Sequence, residues 1–140
     1  MVDRIKRNEA GRVLRDLVDG RITNDEFVSR FPRDRHDSAL AAILRAAWTQ
    51  FSDLRAHKLI GRDSPAPEQR ALLERCCVFL RTDLEFQWPP SHSRIRKGIL
   101  QLTGIGRPLD AADEEYKSRG DLEVWPFLKR SDYELNAKNS

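Results

Sequence analysis

The chain has 140 residues, 39% of them hydrophobic and 34% charged, with 25 Lys and Arg against 22 Asp and Glu. That length suits one domain around one core, and the apolar content is above that of a disordered chain. The net charge of +3 is a small difference between large totals, 14 basic and 11 acidic residues in 1–70 and 11 of each in 71–140, so neither half is a basic arm.

Charges recur from Asp3 onward, where an export signal needs an apolar stretch. The longest apolar run, Cys76 to Leu80, is far below the roughly 20 residues of a membrane span, so a cytoplasmic protein with no membrane contact is expected. Cys76 and Cys77 are adjacent and have no CxxC partner, so they read as buried thiols rather than a disulfide framework or a zinc site. No metal or cofactor is implied.

Val13, Leu14, Leu17 and Val18 share one helical face, and Gly20 stands as the stop of this first helix. If the helix begins near Asp3, Ile5 and Ala10 join that side and Gly11 weakens the interior by about 1 kcal/mol. Thr23 and Glu26 then form a capping box, with Ile22 and Phe27 at the staple positions, and Pro32 ends the short second helix. Asp37 or Ser38 caps a third helix whose stripe Leu40, Ile43, Leu44, Ala47, Trp48, Phe51 and Leu54 predicts about 20 residues. His57 and Lys58 fall in its last turn and Gly61 after it.

Ser64 to Glu68 reads as a connector and helix start, with Leu72, Leu73, Cys76, Phe79 and Leu80 turned inward on the helix that follows. From Asp83 the period changes to two: Leu84, Phe86 and Trp88 alternate with Glu85 and Gln87, and Asp121 to Pro126 nearly repeats the pattern. Two short strands, Leu84–Trp88 and Val124–Phe127, are expected to pair. Between them helices are expected over 93–102 and 110–119. Residues 128–140 are expected to fray, apart from docking by Tyr133 and Leu135.

His36, His57 and His92 lack a second ligand at metal spacing, and Ser91 beside His92 does not put a hydroxyl and an imidazole in line with an orienting group. Asp83 with Glu85, and Asp121 with Glu123, could pair carboxylates on one strand face, but that spacing is also an ordinary solvent face. Trp88 and Trp125 each precede a proline, where a large ring caps a core or anchors a partner.

Arg94, Arg96 and Lys97, followed by Ile99 to Leu102, Gly104, Ile105, Gly106 and Arg107, resemble over 99–111 the helix-hairpin-helix element of DNA-binding proteins, with Thr103 in place of its proline. The resemblance implies phosphate contact by the Gly-x-Gly amides, whereas the acids from Asp110 to Glu123 oppose it. A second likeness is carried by Gly20-Arg21-Ile22-Thr23-Asn24-Asp25-Glu26-Phe27, Ala47-Trp48, Asp53-Leu54 and Phe79 to Pro89. Over residues 10–90 the chain resembles a group of small bacterial proteins of unknown function, which implies a bacterial cytoplasmic setting and brings no catalytic residue.

The residues therefore predict a mainly α single domain over 1–127, with four to five packed helices and a small two-stranded β element, then a tail over 128–140. With no convergent nucleophile, base or ligand set, the expected function is a non-enzymatic protein-interaction module. It would bind a protein partner or itself through Trp88, Trp125 and Phe127. The alternative is nucleic-acid binding through Arg94, Arg96, Lys97, Gly104, Gly106 and Arg107.

Overall fold

Asp3 opens the first helix, its side chain accepting from the Lys6 amide, and α1 runs over Arg4–Val18. The computed structural model describes residues 1–51, 55–88 and 120–139. Among them the fold is mainly helical, with α2 at Asn24–Arg30, α3 at Ser38–Trp48, α4 at Pro67–Leu80 and α5 at Arg130–Lys138. α1 packs on α4 and α2, and α5 packs on α4. One apolar cluster joins Ala10, Leu14 and Leu17 of α1 to Leu40 and Ile43 of α3, Leu73 and Phe79 of α4, and Trp125 and Phe127 beyond them.

The first helix stops as expected. Gly20 has φ +72°, its amide donates to Leu17 O (3.1 Å) and the Arg21 amide reaches Asp16 O (2.9 Å), the two bonds of a Schellman motif. The second begins with half of the expected capping box: Thr23 Oγ1 accepts from the Glu26 amide (3.2 Å) and both staple residues, Ile22 and Phe27, are buried. The Glu26 carboxylate turns toward Arg30 Nη2 (3.4 Å). At the start of α4 Pro67 takes the first position, and Gln69 Oε1 accepts from the Ala66 amide (2.8 Å).

The inward stripe of α1 contains a charge. Ile5, expected on the buried side, is 81% exposed, and Arg7 takes that side with 0% exposure, one turn before Ala10 and two before Leu14. Its Nε and Nη2 donate to the two oxygens of Asp37 (2.6 and 3.0 Å), and Nη1 donates to the carbonyls of Thr82 (2.9 Å) and Leu84 (2.8 Å). Asp37 in turn accepts from the amides of Ala39 (3.3 Å) and Asp3 (3.4 Å), so it caps α3 while it neutralises Arg7. Arg4, one turn earlier on α1, donates to the carbonyls of Leu80 and Thr82. Two arginines thus satisfy carbonyls at and beyond the last turn of α4, at the negative end of its dipole.

Three expectations are corrected. α3 is 11 residues long and ends at Trp48, because Thr49 Oγ1 (2.7 Å) and Gln50 Nε2 (3.2 Å) both donate to Ala46 O, so side chains compete with the helix for a carbonyl. His57 and Gly61 therefore lie outside that helix, Gly61 opening a 3₁₀ turn with φ +57°. The two-stranded element is not formed among the described residues. The segment after Asp83 does alternate, with Leu84, Phe86 and Trp88 turned inward, but 122–124 is a 3₁₀ turn whose Glu123 amide is taken by Asp121 Oδ1 (3.1 Å), and Pro126 has no N–H to offer a ladder. The segments meet through side chains instead: Trp88 Nε1 donates to Phe127 O (3.3 Å), and the Phe86 and Trp125 rings pack edge to face at 6.0 Å. Finally, much of the expected tail is helical, with Tyr133 on the Phe127 ring at 5.5 Å and Leu135 left exposed. The helices expected over 93–102 and 110–119 lie outside the described residues.

Asp37→Ala strands a buried guanidinium and is expected to lower unfolding free energy by about 3–5 kcal/mol in urea titrations. The double variant Arg7→Met/Asp37→Leu should recover a large part of that loss. The glycine inside α1 and the one just past its end should respond oppositely to alanine. A Cβ at Gly20 would clash with Ile60 Cγ2 at a positive φ, whereas one at Gly11 meets only Leu80 Cβ at an ordinary 3.8 Å. Gly20→Ala should therefore cost at least about 1–2 kcal/mol, and Gly11→Ala should stabilise by about 0.5–1 kcal/mol.

Candidate functional site

The aromatic residues expected to meet a partner face inward. Trp88, Trp125 and Phe127 are all buried, covered by a set of rings in which Phe79 meets Phe127 at 5.1 Å and Phe86 at 6.3 Å. Arg75, half-buried beside them, donates its Nε to Trp125 O (3.1 Å), and desolvation lowers its pKa.

The paired carboxylates are each claimed by a cation. Asp83 lies 3.1 Å from Arg4 Nη1, Glu85 3.3 Å from the Met1 amino group, and Asp121 and Glu123 both 2.9 Å from Arg130 Nη2. Strand-face repulsion does not arise. These are exposed ion pairs, not a pair of carboxylates sharing a proton. His57 is buried and engaged, with Nδ1 2.9 Å from Arg55 O and its amide donating to Asn24 Oδ1 (2.9 Å). His36 is exposed. Among the described residues no three His, Cys, Asp or Glu side chains gather where they could hold a metal ion. Arg94, Arg96, Lys97, Gly104, Gly106 and Arg107, with Ser91 and His92, lie outside the described residues.

The two thiols are buried in α4. Desolvation pushes both up, Cys77 to about 11, so both are neutral near pH 7 and inert as nucleophiles.

An outward aromatic surface is formed elsewhere. Trp48, placed by periodicity in the buried stripe of α3, is 44% exposed, since the helix ends at this residue and Ala46 and Ala47 take the inward positions. It borders an open groove of about 480 Å³ with Asp25, Val28 and Ser29 of α2, with Arg33, and with Phe51. The far wall is held firmly. Asn24 donates Nδ2 to Arg55 O (3.1 Å), and its amide donates to His57 O (3.0 Å), so the start of α2 is tied to the chain that returns after α3. Phe51 fills the angle between them, edge to face with Phe27 at 6.2 Å and His57 at 6.4 Å. The sequence signal for this groove was Thr49-Gln50, which ends the helix at a tryptophan.

Comparison with protein-family models, with curated proteins and with solved structures finds no match to the chain. Among the described residues no helix is long and apolar enough to cross a membrane.

The packing of α1 on α4 contains a bidentate pair, Arg15 to Glu74 at 2.9 and 2.7 Å. The Arg15 hydrogen bonds hold the Glu74 carboxyl below its ordinary value of 4.5. A depressed carboxyl contributes stability above its unfolded pKa and loses it as pH falls through the folded one. Because the pair is partly solvated, Glu74→Gln should cost about 0.5–1 kcal/mol at pH 7. In urea titrations that difference from wild type should shrink as pH drops below 4.5 and vanish once Glu74 is protonated.

Proposed function

We propose that this protein is a non-enzymatic interaction module of the bacterial cytoplasm, and that it receives a protein segment in the groove between α2 and α3. The observation that carries this reading is Trp48, a large ring with close to half its surface in water, standing over the half-buried Val28 and Phe51. An exposed tryptophan over an apolar floor gains most when a partner removes both from water, and such residues dominate interface energetics. Charge at the groove points to the kind of segment. Arg33 and Asp25 both line it, and among the described residues neither has an ion pair. A segment with an apolar anchor flanked by one acidic and one basic side chain would satisfy both, and the charges would fix its direction. Two free, buried cysteines suit a reducing compartment.

The experiment captures binding proteins from host lysate on the full chain, purifies the captured protein, and titrates it against wild type and variants. Trp48→Ala and Val28→Glu should weaken binding about tenfold or more, while Leu135→Ala, at an exposed residue outside the groove, should leave it unchanged. Equal affinity for wild type and Trp48→Ala overturns the reading. Sedimentation of wild type and Trp48→Ala tests the other occupant, a second copy of this chain, which would appear as a dimer lost in the variant.

A further inference from the structure

A second cleft, of about 300 Å³, lies between α1 and the end of α4, with Gly11, Arg12, Arg15 and the carboxylate of Asp16 on one side and Leu80 and Arg81 on the other. Most of its charge is already neutralised. Arg7 is held by Asp37, Arg15 by Glu74, and Arg21 by Asp16 at 3.1 Å with Asp19 at 3.6 Å. Arg12 and Arg81 differ. Both are exposed, both line the cleft, and among the described residues no carboxylate lies within ion-pair distance of either. Two like charges from separate helices facing one cleft repel unless an anion lies between them. The floor is also open where it need not be. Gly11 weakens the interior of α1 relative to alanine, yet packing does not require it, since a Cβ there would make only ordinary contact with Leu80.

We propose that this cleft binds a terminal phosphate group, with Arg12 and Arg81 as its two cationic contacts. A dianion matches two guanidinium groups in charge, and its tetrahedral oxygens can take two donors from each fork. A carboxylate, with one charge, would leave one arginine uncompensated. The missing side chain at Gly11 lets the organic part of a phosphate ester approach the backbone of α1 closely. The Arg15 to Glu74 pair sits at the edge as a restraint, since loss of Glu74 leaves Arg15 only Asp19, at 3.8 Å, and raises the positive charge of the site.

The test titrates the full chain with inorganic phosphate and with phenyl phosphate at low salt, following backbone amide shifts by NMR, with potassium chloride at matched ionic strength as the reference. Saturable shifts confined to residues 8–15 and 80–82 are expected. Arg12→Gln and Arg81→Gln should each weaken binding about tenfold, and Glu74→Gln should strengthen it. Tighter binding of phenyl phosphate would assign an ester as the ligand, and equal binding would assign free phosphate. Shifts reproduced by chloride, or unchanged affinity in both arginine variants, would overturn the proposal. The arginine side chains are exposed, so unchanged melting temperatures keep a loss of binding separate from a loss of fold.

Discussion

The fold depends on one buried guanidinium. Arg7 donates four hydrogen bonds, two to Asp37 and two to backbone carbonyls beyond α4, and its planar group lies 5.1 Å from the centre of the Phe79 ring. Asp37 accepts four, two from Arg7 and two from the amides that open α1 and α3. Neither charge is left without a partner, which is the condition under which a buried pair is tolerated at all. In one contact the start of α1, the start of α3 and the exit from α4 are tied together, and none of the three could shift by a turn without stranding a charge. An apolar pair of the same volume could fill the space. It would give those three segments no directional contacts, because dispersion has no preferred acceptor.

From this point order passes into the second half of the chain through rings. Phe79 lies next to the guanidinium, Phe86 and Phe127 pack on Phe79, Trp125 packs on Phe86, and Tyr133 of α5 packs on Phe127. The extended segment after α4 is therefore held at both ends, by Arg7 at the Leu84 carbonyl and by the Trp88 indole at the Phe127 carbonyl. It needs no partner strand for its inward residues to be buried. An extended segment between two such anchors has the same alternation as a strand, and alternation reports burial on one side rather than hydrogen bonding to a neighbour.

That distinction explains which parts of the fold the residues disclosed. The Schellman turn at Gly20, the Thr23 cap, the Ile22 and Phe27 staple and Pro67 at a helix start were all readable, because each is decided within a few residues. Arg7 was not, although it occupies a stripe position three before Ala10 and seven before Leu14. A charged side chain in a stripe reads as a gap until the acid that neutralises it, 30 residues away, is known. The end of α3 was overrun for the opposite reason: the stripe continued to Phe51, but Thr49 and Gln50 took the carbonyl that another turn would use. The candidate groove follows from that ending and was hidden with it. Had α3 continued, Trp48 would lie within a buried stripe and no open face would remain at its end.

Among the described residues several arginines serve this scaffold. Arg4, Arg7, Arg15, Arg21, Arg55 and Arg130 each have a carboxylate within ion-pair distance, and Arg4, Arg7 and Arg15 use theirs to join elements distant in the chain. Surface pairs of this kind contribute little singly, and their removal would be felt mainly as altered surface charge. The informative arginines are those left over in concave places. Arg33 lies beside Trp48, and Arg12 and Arg81 face one cleft between α1 and α4. An exposed cation on a convex surface is fully solvated and needs no further account. In a groove, each new ligand atom displaces water that had screened the charge, so the attraction for an anion increases as the site fills. In the α2 and α3 groove this selects one acidic neighbour for an apolar anchor. In the α1 and α4 cleft, with two such cations, it selects a dianion.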